Sequence, residues 1–391
     1  MRLLIYASSW APSVGGVEIV SKILADGLAS DHTGGSVEIT LVTQTLGEHT
    51  DDSLLPYRVI RRPSIGQWVR QIRAADVIQL EGPSLVPLAL VWLLRKPVVL
   101  RHHNYQSVCP NGLLLFGSGT HICPGHFMAG RYHKCIQCNW NKLGSLGSLR
   151  ELLLTFPRRW LARRATAHVG VSPHIAQRVA LPRTQVIWNG VPDGGISSME
   201  PAPVCNSQPP CFAYLGRLVA EKGVNILFRA SRELAQEGYD FRLKIVGDGP
   251  ERQNLERLAE DLGLLERTEF TGSIPSAVIP AVLKGSAAAV MPSTWEEVSP
   301  LVAIEHMMQG RLLLVSDIGG LGEMVDEVGL KFPVGEATAL AACMRYVLEN
   351  SISSADLVRK ARARALDMFT QRRMVAEHLR LYRQLVIFSA K

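Results

Sequence analysis

The stretch from Ala287 to Asp317, "AAAVMPSTWEEVSPLVAIEHMMQGRLLLVSD", contains one complete unit of the fold. An apolar run is followed by a loop from Pro292 to Pro300, a helical pattern from about Leu301 and a second apolar run. This order predicts two parallel strands joined by a crossover helix. Because ligands of open α/β sheets bind beyond the carboxyl ends of the strands, the loop is the first candidate for a functional site.

The same alternation occurs along the rest of the chain. Before residue 192 the strand-like runs are "RLLIYA", "VEITLVT", "DVIQLEG", "PVVLRHH", "AHVGVS" and "TQVIWNGV", and later ones include "FAYLGRL", "FRLKIVGDG" and "TEFTGSI". Between the two sets, "PDGGISSMEPAPVCNSQPPC" is typical of a linker. We therefore expect an α/β protein with two doubly wound Rossmann-like domains, 1–198 and 199–369, whose strand ends face each other across a cleft. The segment 370–391 predicts one long final helix.

Length and composition agree with this expectation. A chain of 391 residues with 47% hydrophobic and 20% charged residues is long enough for two packed cores and does not indicate disorder. The apolar run "SLVPLALVWLL", Ser84 to Leu94, is about half the roughly 20 residues that cross a bilayer and predicts a buried helix. The amino terminus leads into a Pro/Gly loop rather than a cleavage site, so we expect a cytoplasmic protein.

Charge is distributed unevenly. Residues 1–190 hold 20 Lys/Arg against 10 Asp/Glu, whereas the remainder holds 22 against 25. No acid occurs between Gly82 and Arg150, and "RELLLTFPRRWLARR" then places five arginines among apolar residues. Two interpretations stay open, a solvated helix face or a surface for anionic lipid or a phosphate-bearing substrate.

Two loops after strands suit an anion. Gly15 and Gly16 stand just before a helix, where a phosphate or sugar hydroxyl could approach the backbone, although a plain turn with Glu18 at the helix start fits equally well. Arg217 and Lys222 flank the loop in "YLGRLVAEKGVNILFRA", and two cations so close favour an anion between them unless they are ordinary surface charges.

Two carboxylates bracket the start of the helix in the opening stretch. Glu297 lies in the loop and Glu305 in the second helical turn, so both can reach opposite sides of one ligand. A carboxylate accepts hydrogen bonds from paired hydroxyls, so a ribose and a hexose would suit these anchors. The alternative is that both glutamates form structural salt bridges.

Together these motifs resemble family 4 glycosyltransferases of the GT-B superfamily, which transfer sugars from nucleotide-sugars with retention of anomeric configuration. The resemblance rests on "GGVE", "HNYQSVCP", "VGVS", "VIWNGV", "GRLVAEKG", "IVGDGPE", "FTGSI", "PSTWEEVSPLVAIE" and "SDIGGLGE". It implies that the final helix returns to the first domain. It also implies transfer of a hexose-type sugar to a lipid-linked or polysaccharide acceptor, as in cell-envelope or polysaccharide biosynthesis.

The resemblance assigns roles to individual residues. Arg217 and Lys222 would neutralise the donor diphosphate, which Gly16 would approach. Glu305 would bind the ribose. Donor-sugar hydroxyls would be held by Glu297 and by the backbone of Val298, Ser299, Pro300 and Leu301. His103 matches the family's active-site histidine, His102 is a neighbour that could be confused with it, and Glu323 is too distant to assign.

Some positions depart from the family pattern. Asn104 replaces a usual Asp, Glu81 stands where relatives often have a second His, and His306 and Arg311 replace small residues and Pro. Two other readings also remain, a nucleotide-sugar epimerase or hydrolase and a catalytically silent binding protein. No catalytic metal is required, because Arg217 and Lys222 take its role, and nucleic acid is not expected as a partner.

Four cysteines cluster in the segment that follows His103, namely Cys109, Cys123, Cys135 and Cys138. In a cytoplasmic protein such clustering favours metal over a disulfide, but only one CxxC pair has the spacing of a zinc site. Structural zinc, unrelated reduced thiols and a redox pair all remain open.

Overall fold

The structure is a computed structural model that describes residues 1–12, 15–31, 36–47, 51–117, 121–192, 194 and 209–389. The chain divides into two compact units. Unit 1 comprises Met1–Gly117, Cys123–Pro192 and Phe369–Lys391, and unit 2 comprises Ser118–Ile122 and Asp193–Met368. Most of the predicted linker lies outside the described residues.

Unit 1 is built on a parallel sheet of seven strands in the order β3-β2-β1-β4-β5-β8-β9. Strand order reverses between β1 and β4, which is where doubly wound sheets bind ligands. The strands up to residue 192 are β1 (Arg2–Ala7), β2 (Glu38–Thr43), β3 (Arg58–Arg61), β4 (Val77–Leu80), β5 (Val98–His102), β6 (Leu115–Phe116), β7 (His121–Ile122), β8 (Ala167–Gly170) and β9 (Thr184–Val186). The helices are α1 (Gly16–Ser30), α2 (Ile65–Ala74), α3 (Leu85–Leu93), α4 (Tyr132–Ala162) and α5 (Pro173–Val179).

Unit 2 has a parallel sheet of six strands in the order β12-β11-β10-β13-β14-β15, which reverses between β10 and β13. Its strands are β10 (Cys211–Leu215), β11 (Arg242–Val246), β12 (Thr268–Gly272), β13 (Ala288–Met291), β14 (Leu313–Ser316) and β15 (Leu330–Phe332). Its helices are α6 (Val224–Gln236), α7 (Arg252–Asp261), α8 (Ile279–Val282), α9 (Leu301–Met308), α10 (Gly319–Met324), α11 (Ala337–Glu349) and α12 (Ser351–Met368). The central strand β13 is buried throughout, as its unbroken apolar run predicts.

The last helix, α13 (Gln371–Ser389), belongs to unit 1. Its Gln371 side chain donates to the carbonyl of Ile23 at 2.6 Å, and the Tyr382 hydroxyl donates to Gln79 on β4. The predictions of two doubly wound sheets and of a final helix on the first half of the chain are confirmed.

Two features differ from the sequence analysis. The edge strands β3 and β15 were not predicted, because they are short and carry charged residues that interrupt the apolar pattern. The run from Ser84 to Leu94 does form a helix, but it is not buried all round, since Trp92 and Leu93 at its end are 49% and 69% exposed.

Candidate functional site

In unit 2, the loops that follow β10 and β13 lie against each other at the point where strand order reverses. The amide of Thr294 donates to the carbonyl of Glu221 at 2.9 Å. Gly223 has φ of 67°, and a Cβ there would lie 2.0 Å from the carbonyl oxygen of Pro292. Only glycine therefore allows this close approach of the two loops.

The loops bring Lys222 and Glu297 into direct contact. The Lys222 ammonium donates to Glu297 Oε1, which also accepts a hydrogen bond from Ser293 Oγ at 2.8 Å. The Glu297 side chain is 6% exposed and that of Lys222 is 25% exposed. The carboxylate is therefore buried and satisfied, whereas the cation still reaches solvent.

The segment "SDIGGLGE", Ser316–Glu323, packs against the loop that carries Glu297. The amide of Gly320 donates to the carbonyl of Glu297 at 2.7 Å. Gly319 has φ of 59°, and a Cβ there would lie 2.5 Å from the same carbonyl oxygen. The two glycines thus fix the backbone that carries Glu297.

The backbone of Arg217 is held while its side chain is exposed. The Tyr214 hydroxyl and the Val219 amide donate to the Arg217 carbonyl at 2.8 and 3.1 Å. Within the described part of the chain, no carboxylate lies within ion-pair distance of the Arg217 guanidinium. Arg217 is therefore available to an anion from solution.

Glu305 lies half-buried on α9, which begins directly after Pro300. Burial raises the pKa of Glu305, and the charge of Arg311 offsets part of this effect. Of the other predicted donor-binding residues, Ser299 is buried, Leu301 begins α9, and Val298 is half-buried. These residues thus lie in the loop before α9 and within its first five positions.

The departures at His306 and Arg311 have a structural explanation. Both side chains are buried, and Arg311 Nη1 lies 3.2 Å from His306 Nδ1. Arg311 also donates to the carbonyls of Leu283 and Pro280. The pair therefore ties α9 to the segment before β13. Glu323 lies on α10, where its carbonyl accepts from Arg364.

In unit 1, buried charged residues follow β4 and β5. Glu81 Oε2 lies 2.5 Å from His103 Nε2 and 3.6 Å from Arg101 Nη1, and the three side chains are at most 3% exposed. Burial alone would raise the pKa of Glu81, but the charge of Arg101 and the hydrogen bond from His103 hold it below its ordinary value. Burial and the charge of Arg101 lower the pKa of His103.

These shifts define the hydrogen bond between the two residues. A neutral His103 donates its Nε2–H to the Glu81 carboxylate, which leaves Nδ1 as an acceptor. Gln79 donates to the other oxygen of Glu81, and Arg101 donates to Asn189 Oδ1 at 2.8 Å. His102 has different surroundings, because its Nε2 lies 3.1 Å from His168 Nδ1. The two neighbouring histidines are thereby distinguished.

Gly15 and Gly16 stand at the start of α1, and Gly15 lies close to a carboxylate of the same helix. A Cβ on Gly15 would lie 2.5 Å from Glu18 Oε2, whereas one on Gly16 would meet nothing within 4 Å. Glu18 therefore turns back over the amino end of α1, where its charge is favourable. Any anion at Gly15 and Gly16 would have to displace this carboxylate.

The four cysteines come together in unit 1 as free thiols. Burial raises the pKa of Cys135 to about 12, and the neighbouring Cys109, Cys123 and Cys138 contribute to the shift. Asn111 contacts the sulfurs of both Cys109 and Cys138. Across the described ranges, however, no three His, Cys, Asp or Glu side chains are arranged to hold a metal ion. Structural zinc stays a prediction.

Several residues that contact the predicted ones carry no recognisable signal in the sequence. Arg101 and Gln79 face inward from β5 and β4, and no motif marks them. Ser293 lies four residues before Glu297, and its role follows only from the turn of the loop. Gly319 and Gly320 were part of a quoted motif, so the pattern identified them without indicating what they contact.

Comparisons with known proteins agree with this geometry. Residues 199–364 match the family of glycosyl transferases group 1. The 2-deoxystreptamine glucosyltransferase of Streptomyces kanamyceticus is 30% identical over 227 residues, which are 54% of this chain and 58% of that protein. The chain thus aligns with little more than half the length of this curated relative.

Solved structures match over nearly the whole chain. Anabaena Alr3699/HepE, crystallised with UDP, has a TM-score of 0.72 at 20% identity, covering 98% of this chain and 100% of that one. Sucrose-phosphate synthase of Thermosynechococcus elongatus has a TM-score of 0.74 at 20% identity, with full coverage of both chains. The chain therefore has the GT-B fold, and its residues 199–364 match the group 1 glycosyl transferases.

Proposed function

We propose that this protein is a retaining glycosyltransferase. It moves a hexose-type sugar from a nucleotide diphosphate sugar to a hydroxyl of a lipid-linked or polysaccharide acceptor. The observation that carries the proposal is the contact of Lys222, whose side chain is a quarter exposed, with buried Glu297, at the reversal of strand order in unit 2. A cation held there on a buried carboxylate is a preorganised receptor for a phosphate.

The donor would bind along the two loops and the start of α9. Lys222 and the exposed Arg217 receive the diphosphate, and Glu305 accepts hydrogen bonds from the ribose hydroxyls. Glu297 and the backbone from Val298 to Leu301 hold the sugar. Gly15 and Gly16 would contact the diphosphate once Glu18 has moved away. Uridine is the first base to test, because HepE was crystallised with UDP and UDP-glucose, and guanosine is the second.

Catalysis then depends on the positioning of donor and acceptor and on electrostatic stabilisation of the departing phosphate. The acceptor hydroxyl attacks the anomeric carbon on the face that the diphosphate leaves, through an oxocarbenium-like state. The C–O bond to the diphosphate breaks, Lys222 and Arg217 stabilise the negative charge on the departing phosphate, and that phosphate takes the acceptor's proton. His103, held neutral with Nδ1 as an acceptor, lies near the transferred sugar and orients a hydroxyl.

The proposal also covers the cellular location of the protein and its metal content. We place the protein in the cytoplasm, peripherally at the inner face of a membrane that has an anionic surface. No metal is assigned to the chemistry. Structural zinc at the four cysteines is tested by metal analysis of the purified protein. One zinc per chain with protected thiols would support it, whereas four titratable thiols and no zinc would contradict it.

Product analysis tests the activity. The full chain is incubated with labelled UDP- or GDP-sugars, with and without a lipid-linked or oligosaccharide acceptor. We expect acceptor-dependent glycoside formation with the donor's anomeric configuration, strongly reduced in Lys222→Ala and retained in the exposed control Lys284→Ala. Conversion of the donor without acceptor would indicate an epimerase or hydrolase. Donor binding without any turnover would indicate a silent binding protein.

The role of Glu305 has its own test. In the parent protein, UDP should bind more tightly than 2′-deoxy-UDP, because the 2′-hydroxyl donates to the carboxylate. Glu305→Gln should weaken UDP binding by about tenfold, in line with hydrogen bonds to charged groups, and should remove most of the preference for the ribose. The exposed Glu266→Gln serves as the control. An unchanged ribose preference in Glu305→Gln would exclude this role.

A further inference from the structure

Helix α4 of unit 1 presents a continuous apolar face to solvent. Leu146, Leu149, Leu153, Phe156 and Trp160 are spaced by three or four residues, which places them on one side of the helix. All five are exposed, with Leu146 at 82% and Leu153 at 57%. The core contacts of α4 lie on another side, through residues such as Ser148, Leu152 and Thr155. We call the five exposed residues the α4 face.

The α4 face continues onto the end of α3. The rings of Trp92 and Trp160 meet edge to face with centroids 5.3 Å apart, and both are nearly half-exposed. Leu93 beside them is 69% exposed. A contiguous exposed apolar surface of this kind marks an interaction site, whereas scattered single residues do not.

The segment that carries this surface is rich in cations and nearly free of acids. From Gly82 to Arg164 the chain holds 11 Lys/Arg and a single acid, Glu151. That acid lies 3.9 Å from Arg158. The guanidinium of Arg164 lies 3.4 Å from the ring centroid of Trp160, and Arg95, Arg150 and Arg163 are exposed. The patch therefore combines apolar, aromatic and positive groups.

A pocket opens where α3 and α4 end. It has a volume of about 520 Å³ and is lined by Leu88, Trp92, Arg95, Lys96, Arg164 and Thr166, among others. The two arginines in its lining could contact a phosphate, and the tryptophan contributes apolar lining. This size and chemistry suit the headgroup of a phospholipid.

We propose that the α4 face and the basic ends of α3 and α4 dock on an anionic lipid surface. Leucine and phenylalanine enter the acyl boundary, the tryptophans lie at headgroup level, and the arginines contact lipid phosphates. Within the described residues, no helix is long and apolar enough to span a bilayer, so the contact is interfacial. A second copy of the chain is a poorer occupant, since its arginines would meet these arginines.

This inference specifies the membrane contact of the proposed function, but it can be tested without donor or acceptor. The full chain is sedimented with vesicles of phosphatidylcholine, alone or mixed with phosphatidylglycerol. We expect binding that requires phosphatidylglycerol and falls as salt rises. Leu146→Glu combined with Leu153→Glu should weaken it by about tenfold or more. Arg95→Glu combined with Arg164→Glu should remove the preference for anionic lipid.

Leu54→Glu is the matched control, because Leu54 is also 82% exposed but lies outside the patch. Circular dichroism checks that each variant is folded. The proposal is overturned if the parent protein does not bind anionic vesicles, or if Leu54→Glu weakens binding as much as the α4 variants do. Self-association that Leu146→Glu abolishes, without vesicle binding, would instead make this face an interface between copies. Glycoside formation on a soluble acceptor is scored separately, so either proposal can fail alone.

Discussion

Each unit of this protein carries one acid–base contact where its strand order reverses, and the two contacts are built differently. In unit 1, the partners of Glu81 are His103, Arg101 and Gln79, and all four residues are buried. In unit 2, Glu297 is equally buried, but its partner Lys222 is a quarter exposed.

The burial of the partner decides what each contact can do. Charges that are all buried must neutralise each other, so the unit 1 network fixes one arrangement and one histidine tautomer. A buried carboxylate that holds a solvent-facing ammonium leaves that ammonium able to receive a second anion. Unit 1 therefore holds a rigid, buried polar network, and unit 2 offers a cation that can bind a further anion.

The largest loss of stability is expected when the buried network of unit 1 is broken. Arg101→Met removes the buried cation and leaves Glu81 with less compensation, which should lower the free energy of unfolding by about 3–5 kcal/mol. Chemical denaturation followed by circular dichroism measures this change. Arg58→Met, at an exposed position on β3, is the control and should have little effect. Equal stability of the two variants would show that Arg101 does not hold the network together.

A smaller effect is expected at the glycine beneath Glu297. Gly319→Ala introduces a Cβ 2.5 Å from the Glu297 carbonyl at a position with φ of 59°. Gly335→Ala is a matched control, because Gly335 has φ of 83° but nothing within 4 Å of the added atom. We expect losses of about 2–4 kcal/mol for Gly319→Ala and about 1 kcal/mol for Gly335→Ala.

The comparison of the two glycine variants isolates the contact with the loop. Only Gly319→Ala should also weaken UDP binding, since it displaces the backbone of Glu297. If the two variants lose the same stability and bind UDP equally well, the loop is not supported by Gly319.

The smallest expected effect is on the pH dependence of the protein's stability. Burial and the nearby charge of Arg101 lower the pKa of His378 on α13 to about 3. Because the folded pKa lies below the unfolded value of about 6.5, this histidine's contribution to stability is complete above that value and is lost as pH falls below it. The loss between pH 6.5 and 5.5 should be about 1 kcal/mol.

His378→Gln should remove that part of the pH dependence. Denaturation at pH 8, 6.5 and 5.5 separates the packing cost of the substitution, which is the same at each pH, from the proton-linked loss. A variant whose stability falls with pH as steeply as that of the parent would rule out a buried neutral His378.

The sequence predicts the part of the site that lies on loops after apolar strands. Lys222, Glu297 and Glu305 follow recognisable strand and helix patterns, so their neighbourhood could be inferred from the alternation alone. The pairing of Lys222 with Glu297 could not, since it depends on the approach of two loops 75 residues apart. Likewise Glu81 was noted only as a departure from a family pattern, because two of its partners, Arg101 and His103, come from the region of β5.

The exposed surface formed by α3 and α4 could not be predicted from the sequence either, because it too depends on how separate elements pack. An apolar run of eleven residues predicts a helix but does not say which side is covered. Trp92 and Trp160 are exposed because α4 packs against the core through a different face. Arginines between apolar residues left two interpretations open in the sequence, and the spacing on the folded helix favours the lipid surface.

The central claim is that Lys222 binds the diphosphate of the donor. The most direct test is whether the contribution of Lys222 to ligand binding depends on the charge of the ligand. Calorimetric dissociation constants are measured for UDP, UMP and uridine with the parent protein, Lys222→Ala and the exposed control Lys284→Ala. We expect Lys222→Ala to weaken the binding of UDP by about tenfold to a hundredfold, that of UMP less and that of uridine hardly at all. Lys284→Ala should change none of the three dissociation constants. An equal loss for all three ligands, or no loss for UDP, would contradict a diphosphate receptor at Lys222.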